Sequence, residues 1–155
     1  MLYFAYGSNM HWQRMVARCP SAKFISVAAY RDHRLAFTRK CEAGHGVADV
    51  VETARARVWG VVYRIDDIDL GRLDKCEGYR PQRSTANSYR RIEIMVFSAD
   101  DGEQPITCWT YEVINKAELH IQPSQEYLEH IITGAKDWGL PKDYIEQLCK
   151  VEVMK

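Results

Sequence analysis

The four residues Tyr6-Gly7-Ser8-Asn9 place a glycine, a hydroxyl and an amide between a predicted strand and a predicted helix. The apolar run of residues 2–5 predicts a strand, and the following pattern predicts a helix with Asn9 as its N-cap. The first N–H groups of a helix lack intrahelical acceptors and lie at the positive end of its dipole. Such a turn can hold a carboxylate or stabilise a developing oxyanion. An ordinary strand-to-helix turn uses the same residue types.

A second stretch, Leu73-Asp74-Lys75-Cys76-Glu77-Gly78-Tyr79, carries a candidate proton-transfer group. Glu77 follows a predicted helix that begins at Asp66 or Asp67 and ends at Lys75, with Ile68, Leu70 and Leu73 as its apolar contacts. Gly78 allows the backbone and a ligand to approach closely. A carboxyl group in a partly apolar cleft has a raised pKa and can accept and return protons. The alternative is a solvated acid at a helix end.

Other combinations of reactive residues are weaker. Cys76 with His33 or His45 would suggest a thiol hydrolase, but a lone cysteine on a short helix is more often a small core residue. His45 and Asp49 supply two metal ligands without a third nearby. The glycine–serine turn lacks the lysine and second glycine of a phosphate-binding loop. We therefore expect no metal and no cofactor.

The composition is that of one soluble globular domain spanning residues 1–155. The formal net charge is zero, which argues against a nucleic-acid or membrane-surface role for the whole chain. Five widely spaced cysteines without a CxxC pair fit reduced thiols in the cytoplasm. No signal peptide and no apolar run long enough for a membrane span is expected.

The basic residues are concentrated in the first two thirds of the chain. Residues 100–155 hold 5 basic and 11 acidic residues, which leaves 16 basic and 10 acidic residues before them. Arg80, Arg83, Arg90 and Arg91 lie in a stretch without an acid between Glu77 and Glu93. This stretch is either a solvated loop and strand edge or the mouth of a site that attracts anionic substrates.

The predicted elements give an α+β protein. Helices are predicted from Ser124 to about Trp138 and from Pro141 onward, and Ala99-Asp100-Asp101-Gly102 is typical of a hairpin turn. Alternating, β-branched and aromatic runs predict these further strands: Lys23–Tyr30, Arg34–Thr38, Val47–Val51, Arg57–Ile65, Tyr89–Ser98 and Pro105–Val113. Together they predict a mainly antiparallel curled sheet or barrel with helices packed on it.

Four motifs in order resemble the γ-glutamylcyclotransferase family across essentially the whole chain. They are Tyr6-Gly7-Ser8-Asn9, Val58-Trp59-Gly60-Val61-Val62-Tyr63, Leu73-Asp74 with Glu77-Gly78, and the C-terminal Pro123-Ser124-Gln125-Glu126-Tyr127 … Gly134-Ala135-Lys136 … Gly139-Leu140-Pro141 … Tyr144. The resemblance implies a small closed antiparallel barrel with flanking helices. It also implies that the Tyr-Gly-Ser-Asn turn holds a γ-glutamyl group and that Glu77 is the catalytic carboxylate.

Residues around these motifs complete the expected site. Tyr3, Phe4 and Ala5 adjoin the turn and either line a pocket or fill the core. By the resemblance, Tyr111 and Tyr127 match positions with hydroxyl groups near the ligand, although buried tyrosines form hydrogen bonds in any fold.

The activity implied is release of 5-oxoproline from a γ-glutamyl amino acid or amine, without a cofactor. The partner is a small γ-glutamyl molecule, and the protein is a monomer or homodimer. Two alternatives stay open: a relative acting on γ-glutamyl-lysine or another γ-glutamylated metabolite, and a non-catalytic binding member of the fold.

Overall fold

The computed structural model describes residues 1–82, 87–100 and 103–155. Arg83 and the Asp101-Gly102 half of the predicted hairpin turn therefore lie outside the described residues. Five strands are present: β1 (Leu2–Ala5), β2 (Lys23–Lys40), β3 (Gly46–Arg64), β4 (Tyr89–Ser98) and β5 (Pro105–Val113). Four α-helices accompany them: α1 (Trp12–Arg18), α2 (Asp67–Cys76), α3 (Gln125–Asp137) and α4 (Lys142–Cys149).

The strands close into a barrel in the order β1-β3-β2-β4-β5. All neighbouring pairs are antiparallel except β1 and β5, which pair in parallel through Tyr3 and Trp109. The predicted α+β class and closed, mainly antiparallel barrel are confirmed. None of the helices in the described residues is long and apolar enough to cross a membrane.

The long β2–β3 hairpin differs from the prediction, which divided each strand in two. Arg31 pairs with Arg57 and His33 pairs with Glu52, so the register shifts within a continuous hairpin. Asp32 and Arg55 take positive φ values of 56° and 65°, and the Arg55 N–H donates to Asp32 Oδ1 over 3.0 Å. The break expected between the strands Lys23–Tyr30 and Arg34–Thr38 is therefore a bulge, which absorbs extra residues without ending a strand.

The barrel interior and the helices share one apolar core. Phe4, Met10, Tyr63 and Leu73 are fully buried. The predicted contact of Ile68 with this core is wrong, because its side chain is 81% exposed. The other two predicted contacts of α2 are present, because Leu73 is fully buried and Leu70 packs against the core.

Helix α3 fixes the short 3₁₀ turn Ser8–Met10 against the barrel. A Cβ added at Gly134 would lie 2.4 Å from the carbonyl carbon of Met10, so only glycine permits this approach. The indole of Trp138 donates to the Met10 carbonyl over 2.9 Å, and the Tyr63 hydroxyl donates to the Asn9 carbonyl over 3.1 Å. The turn is thereby held from two sides.

Candidate active site

A cavity of about 490 Å³ lies where the Ser8–Met10 turn meets the C-terminal end of α2. Most of the residues that the sequence pointed to line this cavity: Tyr3, Tyr6, Gly7, Ser8, Asn9, Glu77, Tyr111 and Tyr127. The fold thus gathers residues from both ends of the chain around one space.

Phe4 and Ala5 do not line the cavity. Both side chains have no exposed surface and belong to the core. The Phe4 ring packs against Tyr30, and it lies so close to Gly60 that an added Cβ there would meet it at 2.7 Å. Of the three strand residues expected near a ligand, the structure therefore brings only Tyr3 to the cavity.

Asn9 is not the N-cap of α1, contrary to the prediction. The chain first forms the Ser8–Met10 turn, and His11 then caps α1 by accepting a hydrogen bond from the Arg14 N–H. The Asn9 side chain is consequently free to bind other groups. Its Nδ2 donates to Tyr3 and to Glu77, over 3.0 Å in each case.

The backbone of the turn retains open donors. The N–H groups of Ser8 and Asn9 have no acceptor among the described residues. Gly7 has a φ of −110°, so its lack of a side chain matters for space: a Cβ would lie 3.2 Å from Ala48 Cβ. The turn can thus approach a ligand with unpaired N–H groups, as the sequence predicts.

Glu77 ends α2 and faces the cavity. Its own N–H donates to the Leu73 carbonyl over 3.0 Å, and Gly78 follows with a φ of 65°. That left-handed conformation suits glycine and turns the chain away from the helix. Only 17% of the Glu77 side chain is exposed.

The two carboxylate oxygens of Glu77 have different surroundings. Oε1 accepts the hydrogen bond from Asn9 and lies 3.6 Å from Arg18 Nη1, while Arg18 also donates to Asn9 Oδ1 over 2.7 Å. Oε2 has no hydrogen-bond partner among the described residues. Burial raises the pKa of Glu77 above its ordinary value, against the lowering effects of Arg18 and Asn9. The arrangement orients the carboxylate and leaves one oxygen available for proton transfer.

Three arginines of the cavity were missed from the sequence: Arg14, Arg18 and Arg39. Arg14 Nε donates to Ser8 Oγ over 3.1 Å, and the Arg39 guanidinium lies 5.8 Å from the centre of the Tyr89 ring. Arg14 and Arg18 are four residues apart, which puts them on one face of a helix and was a readable signal. The position of Arg39 depends on long-range strand pairing and carries no local signal.

Of the arginines in the possible basic mouth, the three that the structure describes do not line this cavity. Arg90 pairs with Glu112 over 2.5 Å, and Arg91 pairs with Asp74 over 3.2 Å. Neither these residues nor Arg80 lines the cavity. The basic residues that line the cavity come from α1, β2 and, through Lys75, the end of α2.

The two candidate tyrosines differ in their hydroxyl contacts. The Tyr111 hydroxyl donates to Asp74, and the residue lines the cavity. The Tyr127 hydroxyl accepts from the Ala48 N–H over 3.0 Å and also interacts with the Ser8 side chain. Burial raises the pKa of Tyr127 to about 12, so it remains a neutral donor.

The alternative metal and thiol sites lack their partners. Asp49 is fully buried and accepts hydrogen bonds from Thr38 and Lys116, over 2.7 and 2.6 Å. His45 Nδ1 lies 2.9 Å from the Gly46 carbonyl oxygen, and no group of three or more metal-ligating side chains occurs within the described ranges. Cys76 lines the cavity, but neither His33 nor His45 does.

Comparisons with known proteins show the family to which the chain belongs. A model of the AIG2-like family matches residues 57–148. The γ-glutamylcyclotransferases of Bos taurus and Homo sapiens are 38% and 36% identical to the chain, over 97% of its length and 78% of theirs. The chain belongs to the γ-glutamylcyclotransferase family. A solved structure of a gamma-glutamyl cyclotransferase superimposes with a TM-score of 0.89 and 33% identity, covering 100% of this chain and 89% of the other.

The family membership confirms the resemblance found in the four sequence motifs. It also agrees with the barrel and flanking helices that the structure displays. The sequence similarity to these relatives covers 97% of this γ-glutamylcyclotransferase family member.

Proposed function

We propose that this protein is a γ-glutamylcyclotransferase that releases 5-oxoproline from γ-glutamyl amino acids, with Glu77 as its general acid and base. The observation that carries the proposal is the Glu77 carboxylate, which lines one cavity together with residues of the Ser8–Met10 turn. Asn9 donates a hydrogen bond to one of its two oxygens and leaves the other available. Homologues of that name at 36–38% identity support the same activity.

The substrate contains both reacting groups. Its α-nitrogen lies four bonds from the γ-carbonyl carbon, so attack closes a five-membered ring and expels the amine. Because nucleophile and electrophile belong to one molecule, the site needs mainly to hold the chain folded. Three tasks remain: removing a proton from the α-ammonium, stabilising the carbonyl oxygen as it becomes negative, and protonating the departing nitrogen.

Glu77 can perform the first and third tasks in sequence. Asn9 holds Oε1, which leaves Oε2 to take one proton from the α-ammonium before attack and a second from the ring nitrogen as the ring closes. Oε2 passes each proton to the departing nitrogen, which leaves as an ammonium. A raised pKa brings the carboxyl group closer to the pH at which both transfers are efficient. Asn9 and Arg18 act here as positioning residues, since they hold the carboxylate in one orientation.

The turn and the arginines stabilise the negative charges of the substrate and of the transition state. The open N–H groups of Ser8 and Asn9 are suited to the developing oxyanion. We assign the glutamyl α-carboxylate to Arg14, which is fixed by Ser8, and the carboxylate of the leaving amino acid to Arg39. None of these steps requires a metal or a cofactor.

The other expectations from the sequence are part of this proposal. The free thiols Cys19, Cys41, Cys76, Cys108 and Cys149 are compatible with a reducing compartment such as the cytoplasm. We propose a single catalytic domain over residues 1–155, acting as a monomer or homodimer on a small-molecule substrate.

Mass spectrometry of the products tests the proposal. With γ-glutamyl-alanine we expect stoichiometric 5-oxoproline and alanine, and no free glutamate. The N-acetylated substrate lacks the nucleophile, and an α-linked glutamyl peptide cannot close the five-membered ring, so both should be inert. Free glutamate without 5-oxoproline would indicate a hydrolase, and binding without turnover would indicate a non-catalytic member of the fold. A γ-glutamyl-lysine isopeptide turned over far faster than the dipeptide would favour the amine-specific alternative.

A further inference from the structure

A second cavity, of about 480 Å³, lies between the β2–β3 bulge and helix α4. It shares no lining residue with the first cavity. Its buried lining is apolar and aromatic and includes Phe37, Tyr144 and Leu148, with the half-buried Trp59 beside them. Arg34, Arg55 and Arg57 also line it, and all three are exposed. The cavity is therefore apolar inside and basic at its border.

Two of these arginines lack an ionic partner. Arg57 lies 3.7 Å from Glu103, whereas the guanidinium groups of Arg34 and Arg55 form no ion pair within the described part of the chain. Asp143 is the one acid among the lining residues. Positive charge is thus in excess, and two guanidinium groups remain available to an anion.

The Tyr144 hydroxyl lies beneath the lining and does not open into the cavity. Its oxygen is buried, with essentially no accessible surface. Burial raises the pKa of this hydroxyl, and the nearby Trp59 backbone lowers it in part. The ring of Tyr144 therefore adds apolar surface to the lining, while its hydroxyl stays out of reach of a ligand.

The bulge that carries Arg55 is strained. Asp32 and Arg55 both have positive φ values, a conformation that is unfavourable for residues other than glycine. Such strain persists where the surrounding structure enforces it, and it is concentrated at functional sites. Here it holds an unpaired arginine at the border of a cavity.

We propose that this second cavity binds an organic anion with a flat apolar or aromatic body, independently of the catalytic cavity. The body lies against Phe37 and Trp59, and the carboxylate or phosphate lies between Arg34 and Arg55.

Isothermal titration with three probes tests the charge requirement. We expect 1-naphthoate and 1-naphthyl phosphate to bind the wild-type protein. Neutral 1-naphthol should bind more weakly than either anion, by about tenfold or by a larger factor. Arg34→Gln and Arg55→Gln should each weaken the two anions by about tenfold and leave naphthol unchanged. Arg64→Gln, which removes an exposed arginine of β3 outside both cavities, should change nothing. The tighter of the two anions identifies the preferred group.

Tyr144→Phe is a second control, because it keeps the ring that lines the cavity and removes only a buried hydroxyl. It should leave the affinity for both anions unchanged. These variants should form 5-oxoproline at the wild-type rate in the absence of probe. Absence of anion binding, or unchanged affinity in the Arg34 and Arg55 variants, would overturn the proposal. Loss of binding in Arg39→Gln instead would place the probe in the catalytic cavity and would equally overturn it.

Discussion

Gly134→Ala should disturb the catalytic turn from the side that packs against helix α3. Gly134 lies on α3, and a Cβ added there would meet three backbone atoms: Met10 C at 2.4 Å, Met10 O at 2.6 Å and His11 N at 2.7 Å. Ordinary contacts begin at 3.4 Å. The helix or the turn must therefore move by roughly 1 Å, because backbone atoms cannot rotate away as side chains do.

The expected magnitude follows from two opposing effects. Overpacking of this kind costs about 1–3 kcal/mol, whereas alanine in place of glycine favours a helix by about 1 kcal/mol. Gly71 on α2 is a matched control, because an added Cβ there meets nothing within 4 Å. Gly71→Ala should thus stabilise the protein by about 1 kcal/mol, and the difference between the two variants should equal the overpacking cost alone.

Urea denaturation and 5-oxoproline formation measure the two consequences. Displacement of the turn moves Asn9 relative to Glu77, and a misplacement of about 1 Å can lower a rate by about 100-fold. We expect a lower kcat/KM in Gly134→Ala and wild-type kinetics in Gly71→Ala. If Gly134→Ala were as stable and as active as Gly71→Ala, α3 would not hold the turn in place.

Three further predictions concern the cavity itself. Because burial raises the pKa of Glu77, the folded protein binds its proton more tightly than the unfolded chain and loses stability as the pH rises through that pKa. Glu77→Gln should therefore be more stable than wild type near pH 7, and this difference in stability should shrink towards about pH 4. A urea midpoint equal to that of wild type at both pH values would contradict the raised pKa of Glu77. Arg39→Gln should raise KM about tenfold for γ-glutamyl-alanine but little for γ-glutamyl-alaninamide, and equal effects on both would refute its assignment to the leaving carboxylate. Gly7→Val should raise KM more than Ser8→Ala, because the valine side chain crowds Ala48. Ser8→Ala removes the hydroxyl but keeps the backbone N–H groups of the turn. A larger rise of KM in Ser8→Ala would show that the Ser8 hydroxyl, and not the backbone, contacts the substrate.

Local patterns predicted much of the fold. The bounds of β4 and β5 agree with the alternating runs 89–98 and 105–113, and Ser124 caps α3 by accepting from the Tyr127 N–H. These features depend on residues a few positions apart, so the sequence displays them directly. The long strands β2 and β3 were divided because polar residues such as Asp32 mark turns and bulges alike.

The sequence predicted which residues form the candidate site, but it did not predict the contacts between them. Tyr6-Gly7-Ser8-Asn9 and Glu77 were identified from motifs, and they line one cavity. The bond from Asn9 to Glu77 spans 68 positions of the chain and was obscured by the wrong assignment of Asn9 as a helix cap. The burial of Phe4 depends on its contacts across the barrel, which strand alternation alone does not specify.

The turnover of Glu77→Gln tests the central claim most directly. The amide keeps the size of the side chain and can still bond to Asn9, but it cannot accept a proton. Glu42→Gln is the matched control, because Glu42 lines the same cavity and the substitution makes the same change in charge. We expect Glu77→Gln to bind the N-acetylated substrate like wild type and to form 5-oxoproline about two to four orders of magnitude more slowly, with Glu42→Gln close to wild type. Near-wild-type turnover in a folded Glu77→Gln protein would contradict the assignment of Glu77 as the acid and base.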